Sequence, residues 1–359
     1  MLGTSRREDL SLAEGFAIAG RAIGPEQPPF VIAELSGNHN GRLERALRLI
    51  DAAAEAGADA VKLQTYTADT ITLDHRGPGF VIESGLWAGR TLHDLYSEAF
   101  TPYEWHGPLF ERARARGLIA FSSPFDETAV ELLEQLQAPA FKIASFEAID
   151  LPLIRRAARS GRPLIISTGM TSPREIADAA EAARAAGAPV ALLHCVSAYP
   201  ARHADANLRM IPRLAADFDC PAGLSDHTLG TAAAVAAVAL GACLIEKHVT
   251  LARADGGPDA AFSLEPEELA RLVQDCRSAW EALGAADYRR GAEEAANRQF
   301  RRSLYVVRPV AQGSALTPDD VRSIRPGFGL EPKRLDEVLG RRARRDLARG
   351  EPLALDMLD

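Results

Sequence analysis

Residues 164–195 read LIISTGMTSPREIADAAEAARAAGAPVALLHC. A short apolar run, Leu164–Ile166, ends in Ser167-Thr168-Gly169. Pro173–Ala186 follows with apolar residues at helical spacing, Gly187 closes it, and a second apolar run, Val190–Leu193, leads to His194. The same alternation extends in both directions. Upstream lie the runs Phe30–Ala33, Ala60–Leu63, Leu118–Phe121 and Ala140–Ile143; downstream lie Pro221–Leu224 and Cys243–Ile245. Helical spacing fills the gaps at Leu43–Ala56, Tyr103–Arg116, Thr128–Leu136 and Thr228–Leu240. Eight strand–helix units over roughly 250 residues predict an α/β fold, a (β/α)8 TIM barrel. A doubly wound sheet is the alternative, but no GxGxxG follows the first strand.

Two stretches break the pattern. Thr65 to Phe100 is a long insertion after the second strand, and insertions there usually form active-site lids. After Leu283 the chain turns polar from Gly284 to Gln299. Arg302 to Asp359 then carries short β-like runs, Ser303–Val307 and Pro352–Leu355, broken by Pro and Gly. The expected organisation is a barrel with an N-terminal extension over 1–283, a linker over 284–299, and a small β-rich domain over 300–359.

The chain has 359 residues, 47% hydrophobic and 25% charged, which suits a globular protein with one large and one small domain. A net charge of −8 argues against nucleic acid, since a phosphate-binding surface leaves an excess of Lys and Arg. Cys195, Cys220, Cys243 and Cys276 form no CxxC pair and read as reduced structural thiols. MLGTSRREDLSLAEGF, at the N-terminus, has no apolar core suited to a signal peptide. The longest apolar run, Ala232 to Ile245, is short of a ~20-residue membrane span. A cytoplasmic enzyme without membrane contact is the expectation.

Barrel chemistry collects at the C-terminal ends of the strands. Here nearly every strand ends in polar groups: Glu34, then Lys62 and Gln64, Ser122-Ser123, Lys142 with Ser145 and Glu147, Ser167, His194 with Tyr199, Ser225-Asp226-His227, and Glu246-Lys247-His248. A lysine inside an apolar strand is costly unless an anion meets it. Lys62 and Lys142, with Ser123, Ser145, Ser167 and Ser225 near them, suit a phosphate. The alternative is a pair of structural salt bridges to Glu34, Glu147 or Glu246. His227 and His248 end neighbouring strands, so two imidazoles can converge on a divalent ion. His39 reads as a loop residue over the site, and His194 equally as packed filler. Glu34, Glu147, Asp226, Glu246 and Asp259 are the candidate general bases, unranked. Arg341-Arg342 and Arg344-Arg345 read as a solvated basic surface.

AELSGNHNG (33–41), ADAVKLQTYTADTITLD (58–74), FSSPFD (121–126), FKIASFE (141–147), STGM (167–170), LSDHTLG (224–230) and IEKHVTL (245–251), in this order, resemble the sialic acid synthase family. GLWAGRTLHDLYSEAFTPYEWH (85–106) resembles its pseudaminic acid branch. RSLYVV, RPGFGL and Val338-Leu339-Gly340 resemble its antifreeze-like, or SAF, domain. The resemblance covers essentially the whole chain. It implies condensation of phosphoenolpyruvate with an N-acetylated amino sugar, in this branch 2,4-diacetamido-2,4,6-trideoxy-altrose, to a nine-carbon 2-keto sugar acid. It also implies Lys62, Ser123, Lys142, Ser145, Ser167 and Ser225 as phosphoenolpyruvate contacts, with Glu147 beside them. His227 and His248 would be ligands of Mn, Mg or Co; Glu34, Tyr199, Asp259 and Arg325 would hold the sugar. Arg325 would act across a domain-swapped homodimer. Two positions depart from the neuraminic acid branch: Ser123 replaces a Thr, and Ser197 replaces an Asn two residues before Tyr199. The second change puts N-acetylmannosamine in doubt as the sugar.

Overall fold

The computed structural model describes residues 15–359, so the N-terminal stretch read above for a leader lies outside it, except for Gly15 and Phe16. Two compact units meet in sequence at Gly284 and Ala285.

The first unit opens with a hairpin, β1 (Phe16–Ile18) and β2 (Arg21–Ile23). Eight parallel strands then close a barrel: β3 (Phe30–Glu34), β4 (Ala60–Thr65), β5 (Ile119–Pro124), β6 (Phe141–Ile143), β7 (Leu164–Ser167), β8 (Val190–Cys195), β9 (Ala222–Asp226) and β10 (Leu244–His248), with β10 pairing β3. The helices are α1 (Leu43–Glu55), α2 (Ala68–Ile71), α3 (Leu92–Ala99), α4 (Tyr103–Ala115), α5 (Glu127–Gln135), α6 (Leu151–Ala158), α7 (Pro173–Arg184), α8 (Met210–Phe218), α9 (Ala232–Ala239) and α10 (Pro266–Leu283). The expected TIM barrel is therefore present. The insertion holds α2 and α3.

Local sequence explains the helix faces. In α1, Ala46, Leu49, Ile50 and Ala53 share one face and are buried against the strands. Serine 172 starts α7 with a capping box: Ser172 Oγ accepts from Glu175 N, and Ser172 N donates to Glu175 Oε2 at 2.7 Å. The hairpin supplies Ile18 and Ile23 to a second apolar cluster with Phe30, Phe121, Ile165 and Leu244. That cluster takes the first residue of several strands, so it fills the N-terminal end of the barrel and leaves the other end polar.

Several strands run further than their apolar runs suggested. β4 extends to Thr65, β5 to Pro124, β8 to Cys195, β9 to Asp226 and β10 to His248. Hydrophobicity stops where the polar strand-end residues begin, but the ladder continues because it pairs backbone N–H and C=O groups whatever the side chains. The long apolar run Ala232 to Ile245 is divided between α9 and β10, and no helix among the described residues is long and apolar enough to cross a membrane. All four cysteines are buried and unpaired.

In the second unit β11 (Ser303–Val306) pairs antiparallel with β12 (Val321–Ile324) over a core that includes Leu304, Val306, Val321, Val338, Leu347 and Leu353. The run Pro352–Leu355 forms a single bridge, Tyr305 with Pro352, instead of a strand. Residues 284–299 are more than a plain linker: they carry the short helix α11 (Ala292–Ala296), exposed throughout.

Candidate active site

Alternation along β4 and β10 turns Lys62, Gln64, Glu246 and His248 into the barrel. Lys62 Nζ lies 3.0 Å from Glu246 Oε1 and 3.2 Å from Glu34 Oε2. Lys142 Nζ donates to Ser167 Oγ at 2.7 Å and sits 3.8 Å from Glu246 Oε1. Ser225 Oγ donates to the same Glu246 oxygen at 3.2 Å, and Gln64 Nε2 donates to Glu34 Oε1 at 2.8 Å. Ser123 Oγ is 3.5 Å from Lys62 Nζ. All of these except Gln64 are buried. The two readings of the lysines thus coexist: they form buried ion pairs, and they face a ring of hydroxyls.

Burial and charge set the protonation states. Burial raises the Glu34 carboxyl to about 7, with Lys62 opposing. Burial would raise Glu246 too, but Lys142 and Lys62 together outweigh it and hold Glu246 well below the ordinary carboxylate range. Glu246 faces two ammonium groups where Glu34 faces one. Burial depresses Lys142 to about 8, opposed by Glu246 and reinforced by Lys62.

The short helical turn Ser145–Glu147 follows β6. Ser145 Oγ accepts from Gly169 N at 3.1 Å, and the Ser145 and Ser197 hydroxyls press so closely on Gly169 that a Cβ there would collide with both. Only glycine permits this approach. Burial raises Glu147 to about 7, Lys142 opposing. Its Oε2 is buried with no hydrogen-bond partner.

His227 and His248 do converge, their ring centroids 5.3 Å apart. His227 Nδ1 donates to Val196 O at 3.0 Å, which leaves Nε2 as a lone-pair donor. His248 Nδ1 is buried without a hydrogen-bond partner and lies 3.7 Å from Asp259 Oδ2. Burial, then His227, pushes the His248 imidazole well below its ordinary value, so it is neutral. Burial opposes a proton on His227, but Cys195, Val196 O and Glu246 outweigh it and raise that imidazole above its ordinary value. With the proton off, the free nitrogens of the pair fit a divalent ion. Among the described residues no group of three or more His, Cys, Asp or Glu side chains is arranged for one, so further ligands would come from substrate or water.

Behind the histidines, on the outer face of the strands, Lys247 and Asp226 face each other in register. Lys247 Nζ donates to Asp226 Oδ2 at 2.7 Å and also to Thr228 O, and Thr228 N donates to Asp226 Oδ1 at 2.9 Å. This buried clip joins the two strand ends one residue before each histidine.

Tyr199 packs against His227, with centroids 4.4 Å apart and the rings tilted by 48°. From the insertion, Trp87 packs 5.6 Å from Tyr199, and Tyr96 of α3 meets Tyr66 edge-on at 5.7 Å. His39, expected over the site, is instead a buried loop anchor. Its Nδ1 accepts from Gly41 N at 3.1 Å, and its ring packs edge-on against Trp105. His194 is packed structure, bound to Ala206 O at 2.8 Å. Arg325 is exposed in the second unit, and the Arg341–Arg345 basic run mostly pairs with local carboxylates and carbonyls.

Glu246, the hub of both lysines and Ser225, stood among the unranked acids. Its signal was its position two residues before His248, which places both on the inner face of one strand. Gln64 and the Lys247–Asp226 clip were equally readable as residues, but only pairing shows what they do.

Residues 49–288 match the sequence profile of the NeuB family, and residues 301–359 match that of the SAF domain. A pseudaminic acid synthase of Helicobacter pylori is 42% identical over 93% of this chain and 98% of its own length. One of Campylobacter jejuni is 43% identical over 90% of this chain and 95% of its own. A solved N-acetylneuraminic acid synthetase of Leptospira borgpetersenii superposes with a TM-score of 0.72 at 34% identity, over 80% of this chain and 95% of that one. By barrel, strand-end chemistry and sequence together, this chain belongs to the NeuB family.

Proposed function

We propose that this chain condenses phosphoenolpyruvate with the open-chain aldehyde of 2,4-diacetamido-2,4,6-trideoxy-altrose, giving a nine-carbon 2-keto sugar acid and phosphate. The observation that carries this is one barrel mouth holding Lys62 and Lys142 among Ser123, Ser167 and Ser225, beside His227 and His248. The names of the relatives in Helicobacter pylori and Campylobacter jejuni support the choice of sugar.

In this reading Lys62 and Lys142 offset the phosphate and carboxylate charge of phosphoenolpyruvate from fixed positions, which stabilises charge without solvent reorganisation. Ser123, Ser145, Ser167 and Ser225 donate hydrogen bonds to its oxygens. The vinyl carbon of phosphoenolpyruvate forms a bond to the aldehyde carbon. Water adds at carbon 2, and the bond from carbon 2 to the bridging oxygen breaks, so that oxygen departs in phosphate. Glu147, raised to about 7, orients that water and takes its proton. Glu34, Tyr199, Asp259 and Arg325 hold sugar hydroxyls and amides. His227 and His248 would hold a divalent ion (Mn, Mg or Co), which supplies Lewis-acid polarisation of the aldehyde. The working form is a domain-swapped homodimer, with Arg325 serving the sugar, in the cytoplasm.

The test is purified protein with phosphoenolpyruvate and a panel of N-acetylated sugars, reading phosphate release. Turnover should be fastest with the diacetamido trideoxy-altrose. Preference for N-acetylmannosamine or for the sugar of legionaminic acid would move the assignment to a sibling synthase. Label in the bridging oxygen of phosphoenolpyruvate should appear in phosphate; label in the keto acid would refute the bond cleavage drawn here.

A further inference from the structure

The insertion holds an aromatic residue that the barrel does not require. Trp87 sits at the tip of a clasp closed by Ile82 N to Arg90 O at 2.9 Å, Gly89 N to Ile82 O at 2.8 Å and a bridge between Val81 and Thr91. The clasp is tied to α3 by Arg90 Nη1 and Glu98 Oε2 at 2.7 Å. The indole Nε1 donates to Pro258 O at 2.9 Å, the residue before Asp259. The ring is half-buried and lies 5.6 Å from Tyr199, tilted 50°. Tyr199 is 4.4 Å from His227 and 5.4 Å from Phe262, and Phe262 is 5.0 Å from His248. A continuous run of rings therefore leads from the histidine pair to the insertion.

With its only polar atom already bonded, Trp87 offers any ligand an apolar face alone. Steps of 4.4 Å from His227 to Tyr199 and 5.6 Å from Tyr199 to Trp87 put the indole at most about 10 Å from the His227 ring. We propose that Trp87 is a specificity-determining residue: its face forms the wall for the methyl-bearing tail of the sugar, the end remote from the aldehyde. This rests on the reaction proposed above. A terminal methyl buries its surface against the indole, whereas a terminal hydroxymethyl gives up hydrogen bonds to water that an indole face cannot replace. Tyr199 and the Asp259 loop bind sugar hydroxyls and amides whatever the tail; Trp87 reads the tail.

The test compares two diacetamido aldose substrates of one configuration, one ending in methyl and one in hydroxymethyl, with wild-type, W87F and W87A proteins. W87A should lower kcat/KM for the methyl sugar about 10- to 100-fold, chiefly through KM, the range expected of one apolar contact. It should leave the hydroxymethyl sugar within about threefold on the same scale. KM for phosphoenolpyruvate should be unchanged, and W87F should restore most of the loss. Titrating sugar into protein without phosphoenolpyruvate should change tryptophan fluorescence in the wild type and not in W87F. Equal losses for both sugars, a parallel rise in KM for phosphoenolpyruvate, no loss at all, or an undiminished fluorescence change in W87F would each overturn the inference. If the wild type turns over a different N-acetylated sugar instead, the assigned sugar fails by that result alone. The same tail comparison, made on that sugar, then decides for Trp87.

Discussion

Glu147 and Lys142 are both pushed toward neutrality, from opposite sides. Burial raises Glu147 to about 7, and burial lowers Lys142 to about 8. If Glu147 takes a proton from water, activity grows as pH rises through about 7. If Lys142 must be an ammonium to hold phosphoenolpyruvate, binding fades as pH rises through about 8. Profiles of kcat/KM for phosphoenolpyruvate should be bell-shaped between these values. The bound anion favours the ammonium, so the alkaline limb of kcat should lie at higher pH than that of kcat/KM. A flat kcat/KM profile across this window would contradict both roles. The histidines give a separate expectation: H227A and H248A should each lose divalent-ion dependence together with activity, read by activity against added Mn or Co and by ion binding to the apo protein. Either variant active without metal would remove the ligand assignment. These residues were legible in the sequence because a lysine or histidine at the end of an apolar strand stands out. Glu246 was harder to rank, since one carboxylate among five looks like any other until its ammonium partners are known.

At the scale of elements, β10 ends in His248, β9 runs directly into His227, and the two strands are locked by Lys247 and Asp226 behind the histidines. Both side chains of this pair are nearly inaccessible to water, at 0% and 2%. Removing one partner leaves an uncompensated buried charge, so K247M should cost about 3–5 kcal/mol in denaturant unfolding. The double variant D226L/K247M removes both charges and should recover much of that loss. The recovered fold should still hold its ion less tightly, by about 10- to 100-fold, because the strand ends lose the device that aligns their imidazoles. Cobalt titration by its visible spectrum reads this directly. A K247M protein within about 1 kcal/mol of wild type would show that the clip is idle. Apolar periodicity placed α1, α4, α5, α7 and α9 to within a few residues. It cut the strands short for a physical reason: the ladder needs only backbone groups, while the pattern tracks side-chain polarity, which changes at the barrel mouth.

For the whole molecule, the proposed domain-swapped dimer makes a complementation test possible. R325A alone and E147Q alone should both be inactive. Mixed, unfolded together and refolded, they should regain part of the wild-type rate, because in a swapped dimer one mouth combines an intact barrel with an intact Arg325. No recovery at any ratio, with dimers of both variants present, would rule out the swap.

By itself the sequence determined that the chain forms a barrel, which end of it is polar, and which cations and imidazoles line that end, because strand period and strand-end polarity are local properties. Its ordered motifs also determined the family. Tertiary structure decided what those residues are to one another. Glu246 became the counter-ion of both lysines, Lys247 and Asp226 became the brace of the histidine strands, and His39 moved from the mouth to the packing beneath a loop. It also carried Trp87, remote in sequence from Tyr199 and Pro258, onto both. Such pairings depend on barrel closure and strand register, which set distances between residues far apart in the chain.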